Sequence, residues 1–367
     1  MTLFELQSGV YNALVRAYAG VSPWIARWRA VPPLRVTLVL TNSCNLSCRF
    51  CYEKEGLNRR KPGLLTLDEW CGLIRSLPRF TVLDLIGGET FLYKDLDAIL
   101  RLARERGHLV SVTTNATTLD EGRIRRLLDE KVHYLMVSID GLGSDHDELR
   151  GRQGAFEKAV SAVRRIGELK RELGIRRPYL CVKSMLVREN IARLPEFIDY
   201  FERLGDVDEI KFSTVMESPH WYALEAHPDL GQVFSGTGTQ YRYGGEAAES
   251  FKSMIDPIRR RMAGSRMKIS FHPDVGSLEE LASYLGEPER FAARRCPVPS
   301  HNFNVLPDGE ITPCLAYRIG NVRDIGLDLR QVLHRGRHRE FMARLRSEAP
   351  VAACRGCVNC GHVRRSP

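Results

Sequence analysis

Short runs of apolar and β-branched residues alternate with longer segments of helical spacing over the first 215 residues of the chain. The six runs are LRVTLVL (34–40), TVLDLIG (81–87), LVSVTT (109–114), YLMVSID (134–140), LCVKSMLV (180–187) and EIKFSTV (209–215). Their alternation with helices predicts parallel strands with the helices packed outside. One helical segment starts at Thr66 and carries Glu69 three residues later, as a capping box does. Periodicity leaves open whether the sheet is doubly wound or forms a complete or partial barrel.

Polar or glycine-rich motifs follow four consecutive runs. TNSCNLSCRFC (41–51) comes after the first run, and GGE (87–89), TTNA (113–116) and SIDG (138–141) end the next three. Functional residues of parallel α/β sheets lie just past the carboxyl ends of the strands. We therefore expect these four motifs to form one site at that edge of the sheet.

Three cysteines lie in the first of these motifs, in the spacing C-x3-C-x2-C: Cys44, Cys48 and Cys51. Disulfides use thiols in pairs, and metal cages made wholly by protein usually use four ligands. Three clustered thiols therefore suggest a metal site with one position left open. The alternative is a fragment of a zinc knuckle, although no further Cys or His lies nearby at zinc spacing.

Composition limits the class of protein. The 367 residues exceed the usual size of one domain, which is about 100 to 200 residues. No apolar run approaches the roughly 18 to 20 residues that span a bilayer, so we expect a cytoplasmic protein, whose cysteines bind metals more often than they form disulfides. The net charge is +9, but Arg alternates with acids along amphipathic helices, which disfavours a nucleic-acid partner.

With an aromatic residue directly after Cys51 and GGE downstream, the strand-end motifs resemble the signature of the radical S-adenosylmethionine (SAM) superfamily. The resemblance implies that three thiolates hold three irons of a 4Fe–4S cube and that SAM binds the fourth iron. It further implies that an electron from the cluster cleaves SAM to a 5′-deoxyadenosyl radical, which removes a hydrogen atom from the substrate.

The resemblance also implies the residues that bind SAM: Tyr52, Gly87, Gly88, Glu89, Asn115, Ser138 and Arg150. The GGE segment would contact the methionine amino group, and Asn115 and Ser138 the ribose and carboxylate. Arg150, in HDELRGRQGAFEKAV (146–160), would clamp the carboxylate through its planar fork. Taken singly, each motif has a structural alternative, because Gly pairs mark turns, Asn and Ser cap helices, and Arg forms surface ion pairs.

A second group of cysteines lies near the end of the chain: Cys296, Cys314, Cys354, Cys357 and Cys360. The segment NVLPDGEITPC predicts a β-hairpin, with Asp308 and Gly309 as positive-φ turn residues. A hairpin followed by CRGCVNC is a plausible second metal site. Spacing alone does not decide between zinc and an iron–sulfur cluster.

This segment resembles the SPASM and twitch domains of the same superfamily, which hold auxiliary iron–sulfur clusters. The full SPASM pattern has seven cysteines and two clusters, whereas five are present here. The resemblance therefore implies one 4Fe–4S cluster held by Cys296, Cys314, Cys354 and Cys357. Cys360 either replaces Cys357 as a ligand or stays free, in which case it is a candidate hydrogen-atom donor.

We accordingly expect a partial (β/α)6 TIM-like barrel at residues 35–255, between an N-terminal helical segment (1–34) and a small twitch- or SPASM-like domain (256–367). The expected activity is hydrogen abstraction from a natural-product precursor, leading to epimerisation, oxidation or bond formation. A small molecule or sugar is favoured over a peptide, since no extra N-terminal recognition domain of about 80 residues is present.

The expected partners are that substrate and a reductant such as flavodoxin or ferredoxin. In some superfamily members with auxiliary clusters, an acid next to the second thiol of the hairpin deprotonates the substrate during a two-electron oxidation. Cys314 is followed by LAYR, which contains no acid, so the resemblance implies that such an oxidation would need a remote base such as Asp274, Lys183 or Tyr317. The alternative from another class is a non-catalytic zinc or iron–sulfur protein that binds nucleic acid.

Overall fold

The structure is a computed structural model that describes most of the chain. The described residues are 17, 32–51, 56–59, 62–79, 81–215, 243–292, 298–314, 318–334, 336–347, 357 and 364–365. Several residues of the sequence analysis lie outside these ranges: Tyr52, Cys296, Tyr317, Cys354 and Cys360. The roles expected for them stay predictions.

The strands of the described residues agree closely with the apolar runs. They are β1 (Arg35–Val39), β2 (Val82–Ile86), β3 (Leu109–Thr114), β4 (Tyr134–Ser138), β5 (Tyr179–Leu186), β6 (Glu209–Thr214), β7 (Lys268–His272), β8 (Phe291–Ala292), β9 (Asn302–Val305), β10 (Glu310–Thr312), β11 (Gly320–Asn321) and β12 (Arg364–Arg365). Strands β1 to β6 begin and end within two residues of the predicted runs.

Helices occupy the segments between the strands. They are α1 (Leu67–Ser76), α2 (Leu96–Glu105), α3 (Glu121–Asp129), α4 (Ser144–Arg150), α5 (Ala155–Glu172), α6 (Arg188–Ile191), α7 (Leu194–Leu204), α8 (Gly244–Gly264), α9 (Leu278–Gly286) and α10 (Gly336–Ser347). The capping box at the start of α1 is confirmed, because the Thr66 hydroxyl accepts from the Glu69 amide and the Glu69 carboxylate accepts from the Thr66 amide.

Ten of these strands form one sheet in the order β11-β10-β9-β1-β2-β3-β4-β5-β6-β7. All neighbours from β9 to β7 pair in parallel, whereas β10 and β11 are antiparallel. The expected fold class, a partial barrel followed by a small C-terminal domain, is confirmed. Two strands extend the predicted set of six, with β7 beside β6 and β9 beside β1.

The two faces of the sheet differ in polarity, because successive side chains of a strand point to opposite faces. One face packs under the helices and is apolar, with fully buried residues such as Leu38, Leu85 and Val182. The opposite face, called here the inner face, carries polar and charged side chains, among them Arg35 and Lys183. The inner face leaves room for polar chemistry inside the barrel.

The predicted hairpin is present as β9 and β10, although its turn differs from the expectation. Gly309 has φ +86°, while Asp308 is not among the positive-φ residues. The Gly309 amide donates to the Leu306 carbonyl at 2.9 Å, which closes a four-residue turn with a single left-handed position at its end. Asp308 therefore keeps ordinary backbone angles, and only the last turn residue needs glycine.

The hairpin docks on the first strand of the barrel. Strand β9 pairs in parallel with β1, from Arg35 beside Asn302 to Leu38 beside Val305. Near the turn, the Leu65 amide donates to the Pro307 carbonyl at 2.8 Å. The C-terminal segment thus continues the barrel sheet. No helix within the described ranges is long and apolar enough to cross a membrane.

Candidate active site

The segment 41–51, called here the cysteine loop, leaves the carboxyl end of β1 and brings three thiols together. Cys48 is buried and Cys44 and Cys51 are half-buried, and all three belong to one cluster with Leu46 and Ala155. The Cys51 amide donates to the Cys48 carbonyl at 3.3 Å, which turns the chain between the last two thiols. The loop is therefore compact, with its thiols on one small patch.

Two neighbouring segments hold the cysteine loop in place. The Asn58 side chain accepts from the Cys44 amide at 2.9 Å and donates to the Cys44 carbonyl at 3.0 Å. On the other side, the amide of Ser47 donates to the Arg150 carbonyl at 3.2 Å, at the end of α4. The loop is clamped between segment 56–59 and α4.

Gly87 and Gly88 lie where the end of β2 meets the cysteine loop. A Cβ at Gly87 would lie 2.7 Å from the Thr41 carbonyl oxygen, and one at Gly88 would lie 2.5 Å from the Ser43 carbonyl oxygen. The Gly88 amide donates to the Thr41 carbonyl at 2.8 Å. Both positions require glycine because the backbones of the end of β2 and of the cysteine loop touch there.

Glu89 is buried and uses both carboxylate oxygens within the protein. Oε1 accepts from the Thr114 hydroxyl at 2.7 Å and from the Phe91 amide at 3.0 Å. Oε2 accepts from the Asn115 amide at 2.7 Å. The side chain therefore ties the end of β2 to the end of β3, and its hydrogen bonds serve to position these two strand ends.

Asn115 and Ser138 lie at the ends of β3 and β4. The Asn115 side chain donates to Asn45 Oδ1 of the cysteine loop at 3.0 Å and accepts from the Thr117 amide at 2.9 Å. Ser138 is half-buried on the inner face, beside Lys183 in the register of β4 and β5. Asn115 is thus in direct contact with the cysteine loop, and Ser138 borders the interior of the barrel.

Arg150 is buried beneath the cysteine loop, where it meets an acid. Its Nε donates to the Asp140 carboxylate, and its Nη1 lies 3.6 Å from Cys48 Sγ. The guanidinium carbon lies 5.6 Å from the centre of the Phe50 ring. Burial lowers the pKa of Arg150, but the Asp140 carboxylate and Cys48 together raise it by more, so the guanidinium stays charged.

Asp140 was missed by the sequence analysis although it belongs to the SIDG motif. Its carboxylate also accepts from the Met185 amide at 2.7 Å, and its carbonyl accepts from the Asn190 side chain at 2.7 Å. Its amide donates to Nδ1 of His146, whose pKa burial lowers to about 4, so that the ring is neutral and can accept. The signal in the sequence that could have revealed this pair is an acidic residue ten positions before Arg150.

The electrostatics of the thiols suit metal binding. Burial raises the pKa of Cys44 and of Cys48, opposed by the Leu46 amide 3.4 Å from Cys44 Sγ and by Arg150 beside Cys48. Coordination to a metal deprotonates a thiol outright, and such donors then stabilise the thiolate. The residues therefore fit an iron–sulfur cluster.

A single metal ion requires ligand side chains that converge on one point, whereas a cluster does not. Among the described residues, no three His, Cys, Asp or Glu side chains converge closely enough to share one ion. A 4Fe–4S cube does not require this convergence, because each of its thiolate ligands binds a different iron.

The C-terminal cysteines are described in part. Cys314 follows β10, and Cys314 and Cys357 are both half-buried and pack against the main hydrophobic core. Two further thiols lie in the barrel. Cys71 packs against the core from α1, and Cys181 is fully buried in β5 with its pKa raised to about 12 by burial. Both agree with a packing role.

Comparison with known families agrees with this geometry. Residues 38–208 match the model of the radical SAM superfamily, and residues 296–358 match that of SPASM, an iron–sulfur cluster-binding domain. The chain therefore carries a radical SAM domain followed by a SPASM domain. The radical SAM domain implies a 4Fe–4S cluster and SAM, and the SPASM domain implies an auxiliary iron–sulfur cluster. These matches do not favour a non-catalytic nucleic-acid-binding protein.

Two curated relatives match parts of the chain. Identity is 33% to the sporulation killing factor maturation protein SkfB of Bacillus subtilis, over 37% of this chain and 33% of SkfB. Identity is 32% to pre-heme d1 synthase of Dinoroseobacter shibae, over 54% of this chain and 47% of that protein. The matches thus span about a third to a half of the length of these relatives.

The fold is similar to that of Streptococcus suis SuiB in a crystal structure bound to the precursor peptide SuiA. The TM-score is 0.63 at 16% identity, over 92% of this chain and 72% of the SuiB chain. At this identity the likeness shows the fold, including its C-terminal extension beyond the barrel.

Proposed function

We propose that this chain cleaves SAM reductively and abstracts a hydrogen atom from a carbon of a natural-product precursor. The arrangement that carries the proposal is the meeting of the three thiols, the glycine pair and the Arg150–Asp140 pair at the carboxyl edge of the parallel sheet. When bound, a reduced 4Fe–4S cluster supplies the electron that cleaves SAM to methionine and the 5′-deoxyadenosyl radical.

Arg150 is the candidate for holding the SAM carboxylate. Nε and Nη1 are engaged by Asp140 and Cys48, and Nη2 makes no hydrogen bond to any residue that the structure describes. Asp140 fixes the plane of the guanidinium, so the remaining N–H groups point in a set direction. Cys44, Cys48 and Cys51 would hold the cluster beside it.

The other strand-end residues would act around this centre. Glu89 and Asn115 position the ends of β2 and β3 against the cysteine loop through their side chains, which supports a positioning role. Ser138 lies on the inner face and Tyr52 follows Cys51 directly, so both are candidates for contact with SAM. Gly87 and Gly88 let the backbones of β2 and the loop approach each other.

The auxiliary cluster would be held by Cys296, Cys314, Cys354 and Cys357, with Cys360 as the alternative to Cys357. The reductant would be a flavodoxin or ferredoxin. The curated relatives include the maturation protein SkfB and pre-heme d1 synthase, so they support both a peptide and a small molecule as the class of precursor. We retain the small molecule as the proposed substrate class, with epimerisation, oxidation or bond formation as the outcome.

Anaerobic reconstitution tests the proposed function. The chain should bind about eight irons if both sites hold 4Fe–4S clusters, and after reduction it should convert SAM to 5′-deoxyadenosine. Replacing Cys44 with Ala should remove about four irons and abolish cleavage. The control is Cys71→Ala, which alters a thiol in α1 outside the site. Colourless protein with stoichiometric zinc would contradict the proposal.

Cys360 needs a test of its own, because it could be a ligand or a hydrogen-atom donor. In Cys360→Ala, loss of the auxiliary cluster would assign it as a ligand. Full iron content with lost solvent deuterium incorporation into the product would assign it as the donor. Unchanged iron and turnover would exclude both roles.

A further inference from the structure

Two lysines stand side by side on the inner face of the barrel. Lys183 of β5 pairs in register with Lys211 of β6 and, on its other side, with Ser138 of β4. Neighbouring strands lie about 4.8 Å apart, so the two lysine stems project from adjacent points of one face. Like charges at such a distance repel each other, and each ammonium group therefore needs its own compensation.

Lys211 has compensating partners toward the amino ends of the strands. Its Nζ lies 3.4 Å from the Tyr134 hydroxyl and 5.5 Å from the centre of the Tyr134 ring. The Glu209 carboxylate lies 3.9 Å away. Tyr134 and Glu209 are the first residues of β4 and β6, so the Lys211 ammonium is directed away from the cysteine loop.

The other charges of this region are also paired. Arg35 of β1 binds the Asp84 carboxylate of β2, with 3.0 Å between Nη2 and Oδ1. Glu209 accepts from the Ser270 hydroxyl at 2.6 Å, in addition to its contact with Lys211. Since Asp140 is bound to Arg150, that pair contributes no net charge.

Lys183 is the exception. Within the ranges that the structure describes, no side chain forms an ion pair or hydrogen bond with its ammonium group. Burial and the neighbouring Lys211 lower the pKa of Lys183. His272 of β7 supplies no counter-charge, since a histidine is never negative, and its ring is neutral because burial and the two lysines lower its pKa to about 4.

Charging an unpaired lysine at this place costs free energy, as its lowered pKa reflects, and a bound anion would stabilise the charged form and offset that cost. We infer that Lys183 binds an acidic group of the substrate, a carboxylate or a phosphate, on the inner face of the barrel. The site borders Ser138 and lies within the electrostatic reach of the Asp140–Arg150 pair beside the cysteine loop. The inference rests on the proposed function, since a substrate that loses a hydrogen atom to the radical must lie near the cysteine loop.

The two lysines differ in direction, and this difference sets the position of the acidic group of the substrate. Lys211 is held toward the amino ends of the strands by Tyr134, while Lys183 lies beside the end of β4. The acidic group is therefore anchored on the side of Lys183 that faces the carboxyl edge. The carbon that loses hydrogen then lies between this anchor and the cysteine loop.

Protection from chemical modification tests the site directly. The full chain is methylated with formaldehyde and a hydride donor, and each lysine is quantified by peptide mass spectrometry. One arm contains inorganic phosphate, one contains acetate, and the reference contains chloride at equal ionic strength. Phosphate or acetate should slow methylation of Lys183 several-fold, and should leave unchanged both Lys211, which is held toward the amino ends of the strands, and the exposed Lys252. The anion that slows methylation of Lys183 more indicates whether the substrate carries a phosphate or a carboxylate.

Two variants make the test specific. Phosphate or acetate should also raise the unfolding temperature of the parent chain and of Lys183→Arg, which keeps the cation, but not that of Lys183→Met. Equal protection of Lys252, no protection of Lys183 by either anion, or an anion-induced rise in unfolding temperature that survives in Lys183→Met would overturn the inference.

The labelling requires neither a reduced cluster nor SAM turnover. Protein that shows protection but forms no 5′-deoxyadenosine contradicts the proposed function and leaves the anion site standing. Active protein without protection contradicts the anion site alone.

Discussion

Gly88 illustrates how a motif residue can serve the site without touching a ligand. Its missing Cβ leaves room for the Ser43 carbonyl oxygen, which would otherwise lie at 2.5 Å. Real Cβ atoms do not approach a backbone oxygen that closely, so a side chain here must displace the cysteine loop. The glycine pair thus sets the position of the three thiols relative to β2.

Replacing Gly88 with Ala should therefore disturb the loop. We expect a loss of stability of about 1 to 3 kcal/mol, as for other overpacked sites, together with less iron bound at the barrel site. Iron content and a denaturation curve measure both effects. Gly245→Ala in α8 is the matched control, because a Cβ there meets no atom within 4 Å. Equal iron in the two variants would count against this role.

Asp140 is a second residue whose role depends on a contact between segments, its pairing with Arg150. Converting it to Asn leaves the Arg150 guanidinium buried without its counter-charge, which should cost about 3 to 5 kcal/mol of unfolding free energy. Chemical denaturation checks the value. Asp145→Asn is the control, since Asp145 pairs with Arg193 at an exposed position and should cost less than about 1 kcal/mol. Similar losses in both variants would refute a special role for the buried pair.

At the scale of elements, the C-terminal segment is attached to the barrel at more than one point. The Arg323 guanidinium binds the Glu69 carboxylate in the capping box of α1, with 3.0 Å between Nη2 and Oε2. The Ser76 hydroxyl, at the end of α1, donates to the Leu327 carbonyl at 2.9 Å. Helix α1 therefore serves as a docking surface for the segment after β11.

The Arg323–Glu69 pair predicts a dependence of stability on pH. Hydrogen bonds from Arg323 and the Thr66 amide lower the pKa of Glu69 from 4.5 to about 2. A lowered carboxyl pKa stabilises the folded state fully above the unfolded value, and this contribution is lost as the pH falls from about 4.5 toward 2.

Arg323→Met should therefore cost about 1 kcal/mol at pH 7, a modest value because both side chains are partly exposed, and less in acid. Unfolding free energies at neutral and acidic pH measure the difference. Lys94→Met, which alters a highly exposed lysine, should change neither value. A cost for Arg323→Met that stays the same in acid would contradict the assignment to Glu69.

Elements differ in how far local sequence predicts them. Strands β1 to β6 and the cap of α1 follow from the alternation of apolar residues and from Thr66 and Glu69, which are short-range signals. The parallel pairing of β9 with β1 joins segments more than 260 residues apart, and no local pattern encodes it. The hairpin at Asp308 and Gly309 was predicted, but with a positive φ at both residues, whereas only Gly309 has one. An Asp-Gly pair suits more than one turn type, so the sequence does not decide between them.

At the scale of the whole molecule, the barrel and the C-terminal hairpin share one sheet and one hydrophobic core. Phe303 of β9 is fully buried in the same core cluster as Leu38 of β1 and Leu83 of β2. A sheet that is continuous across both parts couples their stability, since opening one edge exposes the core of the other.

Phe303→Ala should therefore weaken the barrel as well as the hairpin. We expect a loss of about 3 to 5 kcal/mol and faster hydrogen exchange in β1 and β2 in addition to β9. Hydrogen exchange with mass spectrometry resolves these strands. Leu173→Ala, which alters an exposed leucine after α5, should leave all three unchanged. Faster exchange confined to β9 and β10 would show that the two parts open independently.

The sequence by itself determined the superfamily, the parallel strands β1 to β6 and the three thiols of the cysteine loop, because each depends on residue types at short, regular spacing. Only the tertiary structure decided that Arg150 binds Asp140, that Gly87 and Gly88 face the loop backbone, and that β9 lies on β1. It also showed that Lys183 lacks a counter-charge among the described residues. These features depend on which atoms of distant segments come within a few ångströms, and that distance is set by the packing of the whole chain.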